Sequence, residues 1–352
     1  MFSPSRLHAI ASGSDRSLGA VVARAALAAA EPAVAWYVRS KNAAFDSGRR
    51  APTRVAGPVI SVGNITAGGT GKTPLVEWLA RHVQSRGHTP VIVSRGYRAQ
   101  RNRLNDEAQE LALKLPGVPH VQNADRVAAA QRALAAHPGS VIILDDGFQH
   151  RRLARDLDLV LLDALCSFGY ERLLPRGFLR EPPSGLARAD AVILSRADLI
   201  TAQEREAIRL RAANLSSNAS WIEARHAPRR LVSQSESSQP IEWLAGKRVA
   251  AFCGIGNPAG FRKTLEGTGC EIVAWREFPD HFAYSPSAVA ELSRWLPSTS
   301  AEAALCTLKD LVKIGRSQIG DRPLYALEVG LEFLSGESQL SERINNCLSR
   351  IS

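Results

Sequence analysis

A short apolar run at residues 59–62 leads through Gly63 and Asn64 into a glycine-rich loop that ends Gly71, Lys72, Thr73. Few local sequences restrict a fold as tightly. Gly68, Gly69 and Gly71 carry no Cβ, so the backbone there can curl with its N–H groups facing inward, the geometry that cradles a phosphate. The expected nucleotide contacts are Thr66, Ala67, Gly68, Gly69, Thr70, Gly71, Lys72 and Thr73. Lys72 would reach the β- and γ-phosphates, and the Thr73 hydroxyl would bind Mg²⁺. Pro74 suits the first turn of the helix that follows, whose positive dipole end would lie beneath the anion. The pattern G-x-x-x-x-G-K-[ST] asks for glycine at position 66, where this chain has Thr66. The strand before and the helix after supply the context the motif demands. A glycine-rich turn in a domain that binds no nucleotide is the alternative, and it leaves Lys72 without a role.

A second signature reinforces the first. Val141, Ile142, Ile143 and Leu144 precede Asp145, Asp146, Gly147, Phe148, Gln149 and His150. A buried strand that ends in acid delivers a carboxylate to the Mg²⁺ beside the γ-phosphate of ATP. Asp145 is expected nearest the metal, with Asp146 acting through water or orienting Gln149 or His150. Further buried runs at 90–94, 158–163 and 191–194 alternate with helical segments such as 124–137, which predicts a doubly wound, mostly parallel α/β sheet. The loop from Ser94 to Tyr97 falls where ligands sit, at the carboxyl end of a strand. Asp106 precedes a helical run and suits either a helix cap or a catalytic carboxylate.

At 352 residues the chain is long enough for two domains, and they are expected at 1–228 and 229–352. The composition turns polar around 226–240, which reads as a linker with Arg229 to Ser233 as a possible strand. Beyond it a second α/β unit has a strand at 248–252, a loop with Gly254 and Gly256, a helix at 259–268, a strand at 272–275 and then Pro279, Asp280 and His281. A run of alternating polarity at 324–333 reads as a returning strand, and the chain closes on a short helix. Forty-four Lys and Arg against 34 Asp and Glu give a net charge of +10, which favours an anionic partner. No recognisable nucleic-acid module accompanies that charge, so nucleic acid is not expected. Five scattered cysteines without C-x-x-C spacing suggest neither a disulfide framework nor zinc. Residues 18–38 are rich in Ala and Val, but Arg24, Glu31 and Pro32 interrupt them. They read as too broken to span a bilayer, and Arg24 also divides what a signal peptide would keep apolar. An amphipathic helix remains, either packed on the core or lying on an anionic membrane surface.

Several of these segments together resemble one family, the tetraacyldisaccharide 4′-kinases that act in lipid A synthesis in Gram-negative bacteria. The resemblance is carried by Ser61 to Asn64, Lys72 to Pro74, Ser94 to Tyr97, Asp106 with Glu107, Leu144 to His150, Leu173 to Pro175, Leu179 to Pro182 and Phe278 to His281. It implies transfer of the ATP γ-phosphoryl group, with Mg²⁺, to the 4′-hydroxyl of tetraacyldisaccharide 1-phosphate, giving lipid IVA. It implies a P-loop domain joined to a smaller α/β domain by a two-stranded linker. It also implies a peripheral place at the cytoplasmic face of the inner membrane, and no obligate protein partner is evident. By the same resemblance Asp106 is the proton acceptor and His281 its assistant, although Asn105 stands where the family has glycine and Ala108 where it has proline. The anionic glycolipid is expected to meet Arg95, Gln149, His150, Arg172 and Arg180. A competing reading is a GTP-dependent switch or metallochaperone on the same scaffold. It rests on Ser195, Arg196, Ala197 and Asp198, similar to the guanine-reading [NT]-K-x-D pattern, with Thr307 to Asp310 as a looser echo.

Overall fold

The computed structural model describes residues 4–96, 106–235 and 238–349, with the backbone alone at positions 4, 106 and 107. The chain forms two α/β units: residues 10–225 with 331–352, and residues 226–330 with the chain up to Ala9.

Helices α1 (Pro4–Ser12) and α2 (Leu18–Asp46) come first. The larger unit then alternates β1 (Val59–Asn64), α3 (Lys72–Ser85), β2 (Pro90–Ser94), α4 (Asp106–Lys114), β3 (His120–Gln122), α5 (Arg126–Ala136), β4 (Val141–Asp145), β5 (Leu157–Asp163), β6 (Ala191–Ser195) and α6 (Ala202–Leu215), and passes into β7 (Ser220–Val232). Its strands lie in the order β7-β6-β5-β1-β4-β2-β3 and are parallel throughout. Order reverses on either side of β1, which places the P-loop at the crevice where such sheets bind ligands. β1, β2, β4, β5 and β6 are buried at every position, as strands covered on both faces must be.

α3 shows how the sequence secures the loop before it. Leu75, Val76, Leu79, Ala80 and Val83 recur on one face and are fully buried against Ile60, Val62 and Ile143. Each large apolar side chain so buried contributes roughly 1.5–3 kcal/mol. The same core takes Leu340, Ile344, Cys347 and Leu348 from α10 (Glu337–Leu348). The C-terminal helix, expected with the smaller domain, therefore belongs to the larger one, because its apolar face completes the core beneath β1.

The smaller unit contains β8 (Ser238–Pro240), β9 (Arg248–Cys253), α7 (Pro258–Glu266), β10 (Glu271–Glu277), α8 (Pro286–Trp295), β11 (Ala303–Thr307), α9 (Leu308–Ile314), β12 (Gln318–Ile319) and most of β13 (Arg322–Ser335). β10-β9-β11-β13 are parallel, while β8 and β12 pair antiparallel with β7 and β13. The neighbouring long strands β7 and β13 carry the chain between the units, so the segment read as a linker is largely strand.

α2 departs from expectation in its continuity. Pro32 lies inside a single 29-residue helix that by length and composition alone is long and apolar enough to cross a membrane. Proline removes one intrahelical hydrogen bond, and the alanine-rich turns around it favour helix strongly enough to continue.

Candidate active site

β1 ends at Asn64, and the loop that follows is fixed by neighbours on three sides. The Asn64 Nδ2 donates to Thr70 Oγ1 at 2.8 Å, and the Ser195 hydroxyl at the end of β6 donates to the Thr70 carbonyl at 2.7 Å. Arg196 Nη2 donates to the Gly69 carbonyl at 2.9 Å, and the Ala67 N–H donates to the Phe178 carbonyl at 2.6 Å. Gly68 at φ 108° and Gly71 at φ 87° take conformations that side chains disfavour, which is why glycine stands at both. Gly71 is the N-cap of α3 without any side-chain cap, and Lys72 and Thr73 are the first helical residues. Thr66 is 2% exposed and makes an antiparallel bridge to Leu179, so the residue in place of the usual glycine is held by the 178–180 segment.

The acidic pair is delivered as the alternation predicts. Asp145 is the last residue of β4, 5% exposed and in register with Val62. Asp146 follows in the left-handed region at φ 55° and turns its carboxylate toward cations. Arg180 Nη1 donates to its two oxygens at 2.7 and 2.9 Å, and Lys72 Nζ lies 3.4 Å away. Burial favours the protonated acid, but Lys72 and Arg180 outweigh it and hold the Asp146 carboxyl well below the usual range. Two carboxylates at one strand end, with the Thr73 hydroxyl on the facing helix, fit Mg²⁺, which takes one or two protein carboxylates and completes its shell with phosphate oxygens and water. No group of three or more His, Cys, Asp and Glu side chains able to hold a metal by itself occurs among the described residues.

The expected substrate contacts divide. Arg180 and Gln149 lie at the acidic pair, and the Gln149 Nε2 donates to the Asn64 carbonyl and to Glu181 Oε1, both at 2.8 Å. His150 is close by. Burial, with Arg126, Lys41 and Arg152 around it, pushes its imidazole down to about 4, and its buried Nε2 has no hydrogen-bond partner among the described residues. His150 is therefore neutral at neutral pH. Arg95 is exposed just past the end of β2. Arg172 faces Glu31 of α2 at 3.8 Å, and Arg176 Nη1 donates to the Ala11 carbonyl at 2.8 Å. Of three arginines in that loop, Arg180 lies at the acidic pair, while Arg172 and Arg176 reach toward the N-terminal helices.

Three residues not foreseen complete the surroundings. Glu181 is 1% exposed and accepts from Gln149, Arg188 and Asn42, which ties α2 to the loop beside the P-loop. Lys41 Nζ donates to the Gln149 carbonyl at 3.1 Å. Arg126 opens α5, is 6% exposed, and lies near enough to Asp145, Asp146 and Arg95 to feel their charges. An arginine at a helix start normally reads as solvated, so only the sheet order reveals its position.

Arg196, the residue behind the guanine-reading alternative, is buried against Asp163 at 2.7 Å while it holds Gly69. Its chemistry here is that of a brace. α4 begins at Asp106, whose side chain lies outside the described residues, as do Tyr97 and Asn105; both readings of Asp106 concern that side chain. His281 sits in the smaller unit at φ 58°, with its Nε2 4.0 Å from Asp280.

A family model described as tetraacyldisaccharide-1-P 4′-kinase matches residues 23–349. The tetraacyldisaccharide 4′-kinase of an Anaeromyxobacter species is 37% identical over 349 residues, covering 94% of each chain. The tetraacyldisaccharide 4′-kinase of Bordetella parapertussis is 38% identical over 306 residues, covering 83% of this chain and 84% of its own. Among solved structures, the LpxK of Aquifex aeolicus crystallised with ATP is 30% identical with a TM-score of 0.71, covering 92% of this chain and 99% of that one.

Proposed function

Because the chain belongs to the tetraacyldisaccharide-1-P 4′-kinase family, we propose that it transfers the γ-phosphoryl group of ATP to the 4′-hydroxyl of tetraacyldisaccharide 1-phosphate. The observation that carries this reading is the meeting of Lys72 and Arg180 on Asp146 at the mouth of the P-loop. A phosphoryl group entering there meets two cations, the loop N–H groups and the free end of α3. Those are the elements needed to position it and to neutralise charge spread over its oxygens.

In this reading the backbone of residues 66–73 holds the phosphates of ATP and Lys72 moves from Asp146 to the β,γ-bridge. Thr73, Asp145 and Asp146 would hold Mg²⁺, which supplies charge neutralisation at the phosphate oxygens. The substrate's 4′-oxygen forms a bond to the γ-phosphorus as the bond from that phosphorus to the bridging oxygen breaks, and ADP leaves. The hydroxyl proton passes to Asp106, with His281 tuning that carboxylate. Arg95, Gln149, His150, Arg172 and Arg180 are the candidate contacts to the glycolipid.

α2 supports a place on the cytoplasmic membrane surface. Three of its charged residues turn to the protein, with Arg24 donating to the Asp15 carbonyl at 2.6 Å, Glu31 accepting from the Leu173 N–H at 2.8 Å and Lys41 donating to the Gln149 carbonyl at 3.1 Å. Leu18, Val21, Val22, Trp36 and Tyr37 remain exposed on the same helix. One apolar face and one face engaged by protein suit a helix lying in the interface better than one surrounded by lipid.

Labelled phosphate transfer from ATP to purified tetraacyldisaccharide 1-phosphate tests the activity. The intact protein forms labelled product, and Lys72→Ala lowers kcat by about a thousandfold or more. Absence of product from folded, ATP-binding protein refutes the assignment.

A further inference from the structure

The turn that carries His281 is fixed by a carboxylate 29 positions further along the chain. Asp310, in the first turn of α9, is fully buried. Its Oδ1 accepts from the Gly254 N–H at 3.1 Å and from the Tyr284 hydroxyl at 3.0 Å, and its Oδ2 accepts from the Thr307 hydroxyl at 2.6 Å. Thr307 in turn caps α9 by accepting from the Asp310 N–H at 3.3 Å. Burial raises the carboxyl, and these donors pull the other way. A buried carboxylate contributes little to stability compared with an apolar residue of its size, so its contribution lies in the geometry it imposes.

That geometry converges on His281. Gly254 gives its N–H to Asp310, and its carbonyl accepts the His281 N–H at 3.2 Å. Tyr284, three residues beyond His281, is held by the same Asp310 oxygen. Between them, the Phe282 N–H donates to the Pro279 carbonyl at 3.0 Å, closing the turn. The rings of Phe278 and Phe282 stack at 4.5 Å, and Tyr284 packs edge-on at 5.2 Å from Phe282 and 5.4 Å from Phe278. A Cβ on Gly254 would come within 3.1 Å of Phe282 Cβ and 3.3 Å of Asp310 Oδ1, so the approach is close from both sides. His281 itself holds φ 58°, a left-handed conformation that a histidine keeps only when its surroundings impose it.

We propose that Asp310 is a positioning residue for phosphoryl transfer, acting through Gly254 and Tyr284 to fix the backbone of the turn at His281 and so the direction of its imidazole. The inference rests on the reading of His281 as assistant to the proton acceptor. It also gives Thr307 and Asp310 a use that guanine recognition does not.

The test uses the full chain with ATP, Mg²⁺ and tetraacyldisaccharide 1-phosphate in detergent micelles, measuring kcat and both KM values for Asp310→Ala, Asp310→Asn, Tyr284→Phe, His281→Ala and the double variants. Asp310→Ala lowers kcat about tenfold to a hundredfold, the scale of a misplaced reacting group, with KM for ATP within about twofold. Asp310→Asn keeps an acceptor oxygen for Gly254 and Tyr284 and recovers kcat to within about threefold of the parent. In the His281→Ala background Asp310→Ala has no further effect, because both changes act on one group. Should Asp310→Ala fail to fold, Tyr284→Phe carries the same cycle and its loss of kcat vanishes when His281 is alanine. Multiplying effects, or parental kcat in both Asp310→Ala and Tyr284→Phe beside a crippled His281→Ala, overturns the proposal alone. Parental kcat in His281→Ala overturns the reading of His281 and this proposal with it.

Discussion

Both units place a glycine-bearing turn where a parallel strand gives way to a helix: β1 to α3 in the larger, β9 to α7 in the smaller. At the first turn Gly71 caps α3 without a side chain, and its neighbour Lys72 adds a cation. At the second, the Gly254 N–H is taken by the Asp310 carboxylate, and Asn257 caps α7 by accepting from the Gly260 N–H at 2.8 Å. The same strand-turn-helix geometry thus gives an anion site in one unit and an internally satisfied turn in the other. Glycine content does not separate them. What separates them is whether a carboxylate of the chain itself lies in the turn, where its negative charge takes the place a phosphate would need, or a lysine stands beside it, as Lys72 does at the first.

The sharpest break in this comparison is Arg196→Ala. The Arg196–Asp163 pair is 2.7 Å long with side chains 8% and 7% exposed, and the same guanidinium holds Gly69. Removing it leaves the buried Asp163 carboxylate without its cation, which costs about 3–5 kcal/mol, and releases the loop carbonyl. Urea unfolding reads a lowered midpoint, and KM for ATP rises. An unchanged KM for ATP with the expected loss of stability would show that the loop holds its shape without that brace. Next in size is a matched pair of glycine replacements. A Cβ on Gly63 would lie 2.6 Å from Phe148 Cβ and 2.8 Å from its backbone nitrogen, whereas on Gly254 the nearest atom is 3.1 Å away. Gly63→Ala therefore destabilises by about 1–3 kcal/mol and displaces the segment after Asp146, while Gly254→Ala costs less in the same unfolding measurement. Equal losses would mean that Phe148 yields as readily as Phe282.

How much of this was readable before the structure depends on whether a feature is local. Gly71, Lys72 and Thr73 announce themselves because the phosphate loop is a property of consecutive residues, and residues 141–144 do so because a strand buried on both faces is apolar up to the acid that ends it. The strand β3 is only three residues long, too short to show a period. β7 was legible only at its end, around 229–232, because Glu223, Arg225, His226, Arg229 and Arg230 give a strand the composition of a linker; Arg225 and Arg230 pair with Glu332 and Glu328 of β13, partners distant in sequence. Arg126, Glu181 and Lys41 escaped for the same reason. Each is an ordinary charged residue in its own segment and becomes part of the site only through the order of strands around β1. Arg172 shows why composition alone does not decide such a role, since an arginine beside apolar residues looks like an anion ligand even where, as here, the carboxylate nearest it is Glu31 of α2.

The smallest effect tests the comparison at the helix ends. α7 and α3 both begin beside a glycine turn, but only α7 has a side-chain cap, the Asn257 Oδ1. Asn257→Ala exposes the first turn of α7 and costs about 1 kcal/mol of stability, the usual value of one such cap. If the division between the turns is right, KM for ATP stays at its parental value, because Gly254 remains paired to Asp310 and the first turn of α7, residues 258–261, carries no lysine or arginine to complete an anion site. A helix N-terminus draws phosphate effectively when unpaired N–H groups, the dipole and a neighbouring positive charge coincide. At α3 all three coincide, with Lys72 in the first turn. At α7 the variant supplies only the first two, so inorganic phosphate added to Asn257→Ala should raise the unfolding midpoint no more than it does for the parent. A larger rise would show that the cap alone had been keeping a second anion site closed.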